Sequence, residues 1–380
     1  MKAMFFTIIS ILTCFINVAF VTYLIAGLKK IKQISKLPVI DDKPAVAIII
    51  AVRNEEQDLE KALLSVCHIN YSNYRIIVVN DRSTDGTAEI LKGFITNYPK
   101  LSVTTIDSLP PGWLGKNNAL YQGYKSSNEE WMLFADADIV FHPDALSKAV
   151  GYAVKQKLDH LTILPQLVSP SAILNSVLAT FSIMLMMHMR PWDAKNHKSN
   201  AFASIGAFNL LRRSAYEKVG THARIKLRPD DDLQLGHIIK SAGLNQDVLA
   251  GNNYICLEWY KNLRQFGHGI LKNSFAIAEY KLGRALVNAL SMLLSFTLPL
   301  PILFIFGSTE IRLMACVILL FLLIYMTVVL PNKWWYAFMV PFAGVYIAYF
   351  TIKSALITLK QGGIYWRESF YSLAMLKGKD

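Results

Sequence analysis

Apolar residues fall along this chain in distinct regimes. From Ala3 to Leu28 no charged residue occurs, a run long enough for a bilayer-spanning helix and longer than the core of a signal peptide, which ends at small residues. Lys29, Lys30, Lys32 and Lys36 follow directly, so the positive-inside rule puts everything after residue 29 on the cytoplasmic side. Apolar runs return at Ala285–Thr309, Leu313–Asn332 and Trp334–Ile352, divided by Glu310, Arg312 and Lys333, with Trp334 and Trp335 placed like an interfacial belt. Three further spans are expected. That count leaves the tail outside, yet the tail carries Lys360, Arg367, Lys377 and Lys379, residues that prefer the cytoplasm. A re-entrant run or an interfacial segment at 362–367 would reconcile the two. Ile173–Met189 and the basic amphipathic stretch Lys261–Lys281 read equally well as helices lying on a membrane or packed on a soluble domain.

Between residues 29 and 284 the pattern changes period. Val46–Val52 is a continuous β-branched run, Glu55–His68 has helical periodicity, and Ile76–Val79 is a second short apolar run ending in Asn80 and Asp81. Thr84-Asp85-Gly86-Thr87 starts a helix to about Tyr98; Leu101–Ile106 and Trp131–Ala135 read as strands, with Asn117–Tyr124 helical between them. Alternation of this kind predicts an α/β fold with a mostly parallel sheet, whose ligands bind at the carboxyl ends of the strands.

Charge narrows the partners. Lys plus Arg exceed Asp plus Glu by 39 to 27, which favours anionic ligands, and the lysines cluster beside apolar runs, where an anionic phospholipid bilayer is a simpler partner than nucleic acid. Cys14, Cys67, Cys256 and Cys316 show no CxxC spacing, so neither a disulfide framework nor a thiolate zinc site is expected. No GxGxxG or Walker lysine loop occurs, which leaves nicotinamide and P-loop chemistry unsupported.

The residues following each strand carry the candidate chemistry. Arg53-Asn54-Glu55-Glu56 follows the first, Asp81 and Asp85 the second, and Asp136-Ala137-Asp138 the fourth. Two carboxylates at a strand exit can bind a hard divalent cation whose remaining positions take diphosphate oxygens. Downstream, Asp230, Asp231 and Asp232 precede an apolar-periodic helix; one of them serves as an N-cap, and three exceed what capping requires. Crowded carboxylates raise one another's pKa, so one of them can act as a general base near neutral pH. His142, His188, His222 and His268 are scattered and are assigned to no metal.

These segments, together with Gly112-Trp113-Leu114-Gly115-Lys116-Asn117-Asn118-Ala119-Leu120 and Asp231-Asp232-Leu233-Gln234-Leu235-Gly236, come in the order seen in membrane-associated GT-A-type glycosyltransferases of family 2, and the chain most resembles the branch holding ceramide-glucosyltransferase-like and hopanoid-associated enzymes. The resemblance implies a Rossmann-like GT-A domain over residues 44–285, an N-terminal anchor at 1–30, C-terminal spans at 286–358 and a tail at 359–380. It implies that Glu55 and Asp81 line the nucleotide pocket, that Lys116 approaches the nucleotide or diphosphate, that Asp136 contacts the ribose or sugar, and that Asp138 with Asp136 holds Mg2+ or Mn2+. Asp232 would be the base, with Asp231 beside it, and Gly206, Ala207 and Phe208 would lie near the acceptor. The expected activity is metal-dependent, inverting transfer of one sugar from a nucleotide-sugar, UDP-linked at family level, to a lipid acceptor at the cytosolic face of the cell membrane.

The chain departs from the pattern at one place. Processive members carry QxxRW after the base motif; here the stretch reads Glu258-Trp259-Tyr260-Lys261-Asn262-Leu263-Arg264-Gln265-Phe266. Arg264 is the candidate for the cationic role, and no Trp follows it. Single transfer is therefore favoured over the alternatives, a polysaccharide synthase or a non-catalytic membrane scaffold.

Overall fold

The structure is a computed structural model that describes residues 2–39, 44–329, 333–366 and 369–377; Arg367, Lys379 and the end of the Leu313–Asn332 run lie outside the described residues. Helix α1 (Lys2–Lys30) is followed by β1 (Lys32–Gln33), β2 (Val46–Val52), α2 (Leu59–Cys67), β3 (Tyr74–Asp81), α3 (Thr87–Asn97), β4 (Leu101–Ile106), α4 (Gly115–Lys125), β5 (Trp131–Ala135) and β6 (Ile139–Phe141). Then come α5 (Ala145–Lys155), β7 (His160–Leu164), β8 (Gln166–Leu167), α6 (Ala172–Met189), β9 (Asn209–Arg212), α7 (Arg213–Lys218), α8 (Asp231–Ser241), β10 (Gln246–Ala250) and β11 (Ile255–Leu257). The remainder is helical apart from one hairpin. Two compact units result: a sheet unit of residues 31–168 and 189–259, and a helical unit of 1–30, 169–188 and 260–380.

The sheet unit is built on eight strands in the order β1-β10-β7-β9-β5-β2-β3-β4. All pairings are parallel except those of β9, which runs antiparallel to both β5 and β7. The unbroken apolar run of β2 is explained by cover on both faces: Ile48 and Ile50 pack with Leu59 and Leu63 in one core, while Ala47 and Ile49 pack with Ile77, Val79 and Leu120 in the other. Ile49 is fully buried, and truncation to Ala there would cost about 2–5 kcal/mol. A second, three-stranded sheet pairs β11 antiparallel with β6 and parallel with β8.

Helix α2 starts at Leu59, later than the periodicity from Glu55 suggests. Asn54 takes a left-handed conformation at φ 55°, and the N–H groups of Glu55 and Glu56 donate to Thr87 Oγ1 at 2.9 Å and Asp85 Oδ2 at 3.2 Å. Those residues tie two strand-exit loops together instead of extending the helix.

In the helical unit, α9 (Leu263–Ile277), α10 (Leu282–Met292), α11 (Pro299–Phe306), α12 (Thr309–Val329) and α13 (Val340–Gln361) lead to the hairpin β12 (Gly363–Trp366) and β13 (Ser369–Ser372) and to α14 (Leu373–Leu376). Among the described residues four helices are long and apolar enough to cross a membrane, spanning Thr7–Lys30, Ala172–Asp193, Thr309–Val328 and Trp334–Gln361. The second of these contains the Ile173–Met189 segment that the sequence left between two readings. The run expected as a span at Ala285–Thr309 forms a bent pair, Leu282–Ser295 and Pro299–Phe306, meeting at 41°, the form of a broken span or a re-entrant loop; Pro299 has no N–H to continue the helical ladder. Helix α9 buries Phe266, Ile270 and Phe275 and is held by α13 through Tyr346, whose hydroxyl donates to the Leu263 carbonyl at 2.7 Å. Large apolar side chains such as Ile8, Phe15, Leu313, Leu320 and Phe342 face outward.

Candidate active site

The carboxyl ends of β2 and β3 form the first half of the site. Their loops lock reciprocally: Asn54 N–H donates to Ser83 Oγ at 3.1 Å, Thr84 N–H to Asn54 Oδ1 at 2.8 Å, and Gly86 N–H to Glu56 Oε2 at 2.7 Å. Asp81, the last residue of β3, is buried and receives Arg82 Nε at 2.8 Å. Helix α4 abuts this carboxylate so closely that a Cβ at Gly115 would fall 2.3 Å from Asp81 Oδ2. Only glycine lets the next residue, Lys116, enter the site from there.

Lys116 is the hub of the second half. Its Nζ lies 2.8 Å from Asp136 Oδ1, past the end of β5, and 3.7 Å from Asp231 Oδ1 at the start of α8. Helix α4 is pinned beside this segment because Asn117 Nδ2 donates to the carbonyls of Ile225 and Arg228, each at 2.9 Å. Carboxylates from β5 and α8 hold the ammonium firmly in its charged form, against the cost of burying it. The cavity around it is lined by Lys116, Leu120, Phe134, Asp136, Gly206, Asn209, His222, Asp231 and Asp232.

The three aspartates of α8 divide their work. Asp230 stands at the N-cap position and makes no side-chain capping bond; it forms a two-pronged pair with Arg228 at 2.8 and 2.7 Å. Asp232 is oriented by two backbone donors, Gly206 N–H to Oδ2 and Leu233 N–H to Oδ1, both 2.8 Å. Burial raises the pKa of Asp232 and pushes that of Asp231 up to about 7; Lys116 opposes both shifts. Asp138 is likewise pushed up to about 7, by burial first and by Asp136 second.

His222, one of the scattered histidines given no role from the sequence, lies in this cavity, fully buried. Tyr216 Oη accepts the His222 backbone N–H at 2.9 Å and lies 2.5 Å from its Nδ1. Burial, with Lys116 nearby, pushes the imidazole down to about 3, so it is neutral. Its other nitrogen, Nε2, faces Asp231 Oδ2 at 4.0 Å. Asn209, which directly follows the 206–208 segment expected near the acceptor, lines the cavity as well.

Of the segment 206–208, Gly206 lines the cavity, and a Cβ on it would fall 2.7 Å from Asp136 Oδ2. Ala207 and Phe208 point into the apolar core, where Phe208 meets Phe141. Arg264 lies in the first turn of α9, in the helical unit. Trp113 stacks on Tyr121 and Trp259 packs against the sheet core.

Among the described residues no group of three or more His, Cys, Asp or Glu side chains is placed to hold a metal. Asp136 and Asp138 supply two hard oxygen donors, and burial and the Asp136 charge outweigh the backbone hydrogen bond and Lys116 that favour the ionised form of Asp138. This donor set fits a hard divalent cation that takes its other ligands from a diphosphate.

A mostly parallel sheet with an Asp-Ala-Asp step at a strand exit, and a carboxylate pair delivered opposite it by a later helix, defines a GT-A domain. Residues 47–220 match the family model for glycosyl transferase family 2. The 4,4'-diaponeurosporenoate glycosyltransferase of Staphylococcus aureus is 25% identical over 219 residues, 57% of each chain. The poly-beta-1,6-N-acetyl-D-glucosamine synthase of Staphylococcus epidermidis is 28% identical over 176 residues, 46% of this chain and 41% of that one. The chain thus spans at most 57% of the length of these relatives. In fold, it resembles the mannosyltransferase PcManGT from Pyrobaculum calidifontis, solved in complex with GDP-Man and Mn2+, with a TM-score of 0.56 and 15% identity over 92% of this chain and 97% of that one.

Proposed function

We propose that the protein is a glycosyltransferase that moves a single sugar from a nucleotide-sugar, with UDP as the expected carrier, onto a membrane lipid at the cytosolic face of the cell membrane. The observation that carries this reading is the meeting of Lys116 with Asp136 and Asp231, at 2.8 and 3.7 Å, which collects strand-end and helix-start carboxylates in one cavity of a family 2 domain. In this reading Glu55 and Asp81 bind the nucleotide, and Lys116 lies beside the diphosphate. Asp138 and Asp136 would hold Mg2+ or Mn2+, which when bound offsets the negative charge that develops on the leaving diphosphate. Asp232, oriented by the N–H groups of Gly206 and Leu233, takes the proton of the acceptor hydroxyl, with Asp231 beside it. Attack from the face opposite the departing nucleotide inverts the anomeric configuration. The outward apolar side chains of the helical unit support a lipid acceptor and a bilayer partner, and Lys29, Lys30 and Lys32 favour anionic phospholipid.

The test is nucleotide release by detergent-purified protein given Mg2+ or Mn2+, UDP- and GDP-sugars, and lipid extract. Lipid-dependent release from one donor, lost on chelation and in Asp138→Asn and Asp232→Asn, together with a singly glycosylated lipid, is the expected result. The likeness to a polymer synthase favours one second reading, processive synthesis, which would show as products carrying many sugars.

A further inference from the structure

The cavity wall at Asn209 is neutral, and its polarity is set by a buried relay. Backbone Ala203 N–H donates to Gln246 Oε1 at 2.8 Å, which fixes that amide the right way round. Gln246 Nε2 therefore donates, to the Gly236 carbonyl at 3.1 Å and to His160 Nδ1 at 2.8 Å. His160 is fully buried, and burial pushes its pKa down to about 4, so it is neutral and carries one proton. With Nδ1 accepting, that proton is on Nε2, which donates to Asn209 Oδ1 at 3.1 Å. Ser204 Oγ donates to the same Oδ1 at 2.9 Å. The His160 N–H demands oxygen at this position and the Ser204 hydroxyl is satisfied by it, so the NH2 group is the other end of the Asn209 amide. Asn209 lines the cavity, and among the described residues its Nδ2 has no hydrogen-bond partner.

We propose that Asn209 is a specificity-determining residue whose Nδ2 donates a hydrogen bond to a hydroxyl oxygen of the ligand, the expected source being the transferred sugar. His160 and Gln246 act through it as positioning residues. The proposal rests on the glycosyltransferase reading above. A neutral, pre-aimed donor suits a sugar hydroxyl: it adds no charge to a cavity already balanced by Lys116 and its aspartates, and it leaves a buried polar group unpaired when an analogue lacks the oxygen.

The experiment compares wild type with Asn209→Asp, which keeps Oδ1 and replaces the donor by an acceptor, measuring Kd for UDP-glucose, UDP-N-acetylglucosamine and GDP-mannose against UDP and GDP alone, and KM for the lipid extract. The expected result is a nucleotide-sugar Kd raised by about 10- to 100-fold with nucleotide binding unchanged. Asn209→Ser, smaller and uncharged, makes the same comparison if the first variant fails to fold. A rise confined to the lipid KM supports the donor role and assigns the hydroxyl to the acceptor. Unchanged sugar preference and unchanged lipid KM in a folded variant overturn the role of Asn209 alone. Wild-type protein that binds no nucleotide overturns the glycosyltransferase reading and this proposal together.

Discussion

Tyr216 Oη accepts the backbone N–H of His222 at 2.9 Å and lies 2.5 Å from its Nδ1, so one hydroxyl holds both the main chain and the ring of that residue. The other ring nitrogen, Nε2, faces Asp231 Oδ2 at 4.0 Å. Removing the hydroxyl with Tyr216→Phe leaves a buried N–H and a buried ring nitrogen unpaired. The variant should lose about 1–3 kcal/mol of stability, measured by denaturant unfolding of the detergent-purified protein.

Lys116 is about a third exposed to the cavity, yet it lies between carboxylates of β5 and α8. Lys116→Met keeps the stem of the side chain and removes the charge. Nucleotide-sugar turnover should fall by about 100- to 1,000-fold, the usual effect of deleting one preorganised electrostatic contact. Steady-state rates at saturating donor check this, and a change below about 3-fold would remove Lys116 from the reaction.

Asp231 supplies a pH dependence whose sign can be worked out. Its ordinary pKa of 3.8 is pushed up to about 7, chiefly by burial. The folded state therefore holds a proton that the unfolded chain has released, and stability declines as pH rises through the window between these values. Asp231→Asn should raise the unfolding temperature relative to wild type above about pH 7, and the difference should shrink toward about pH 4. Turnover runs the other way in wild type: the cluster must be ionised to take a proton, so rates should climb through about pH 7. Thermal scans and rate profiles over the same buffers separate the two effects.

Gly206 offers a test that leaves every charge in place. A methyl group there would meet Asp136 Oδ2 at 2.7 Å, and the side chain that must yield is the one holding Lys116. Gly206→Ala should cut turnover by about 10- to 100-fold, the scale of a misplacement of about 1 Å. The unfolding temperature should change little, because the displaced group is the end of a side chain bordering a cavity. A slowed but stably folded variant in assay and calorimetry is the expected pattern.

Much of this arrangement was legible in the residues. The β-branched run of β2 needs cover on both faces, and the structure supplies it; the Asp-Ala-Asp step after β5 and the aspartates before α8 share a cavity with Lys116 through Asp136, Asp231 and Asp232. Other parts could not be read. His222 looks like any loop histidine until Tyr216, six positions earlier, is seen to grip it. Ala207 and Phe208 sit in a promising segment but turn into the apolar core just before β9 begins. Asp230 stands where a cap belongs and is taken by Arg228 instead. In each case the deciding partner is fixed by tertiary packing, which local pattern does not encode.

The placement of β9 also imposes an order on synthesis. β5 pairs with β2 on one side and with β9 on the other, and β9 is also the neighbour that joins β5 to β7. A ribosome that has just completed the apolar helix α6 (Ala172–Met189) has made both flanking strands but not residues 209–212 between them. Two facing edges, one of them the apolar β5, then stand open at once, the condition in which nascent sheets invite foreign strands. Until Arg212 emerges, neither the sheet nor the cavity above it can close.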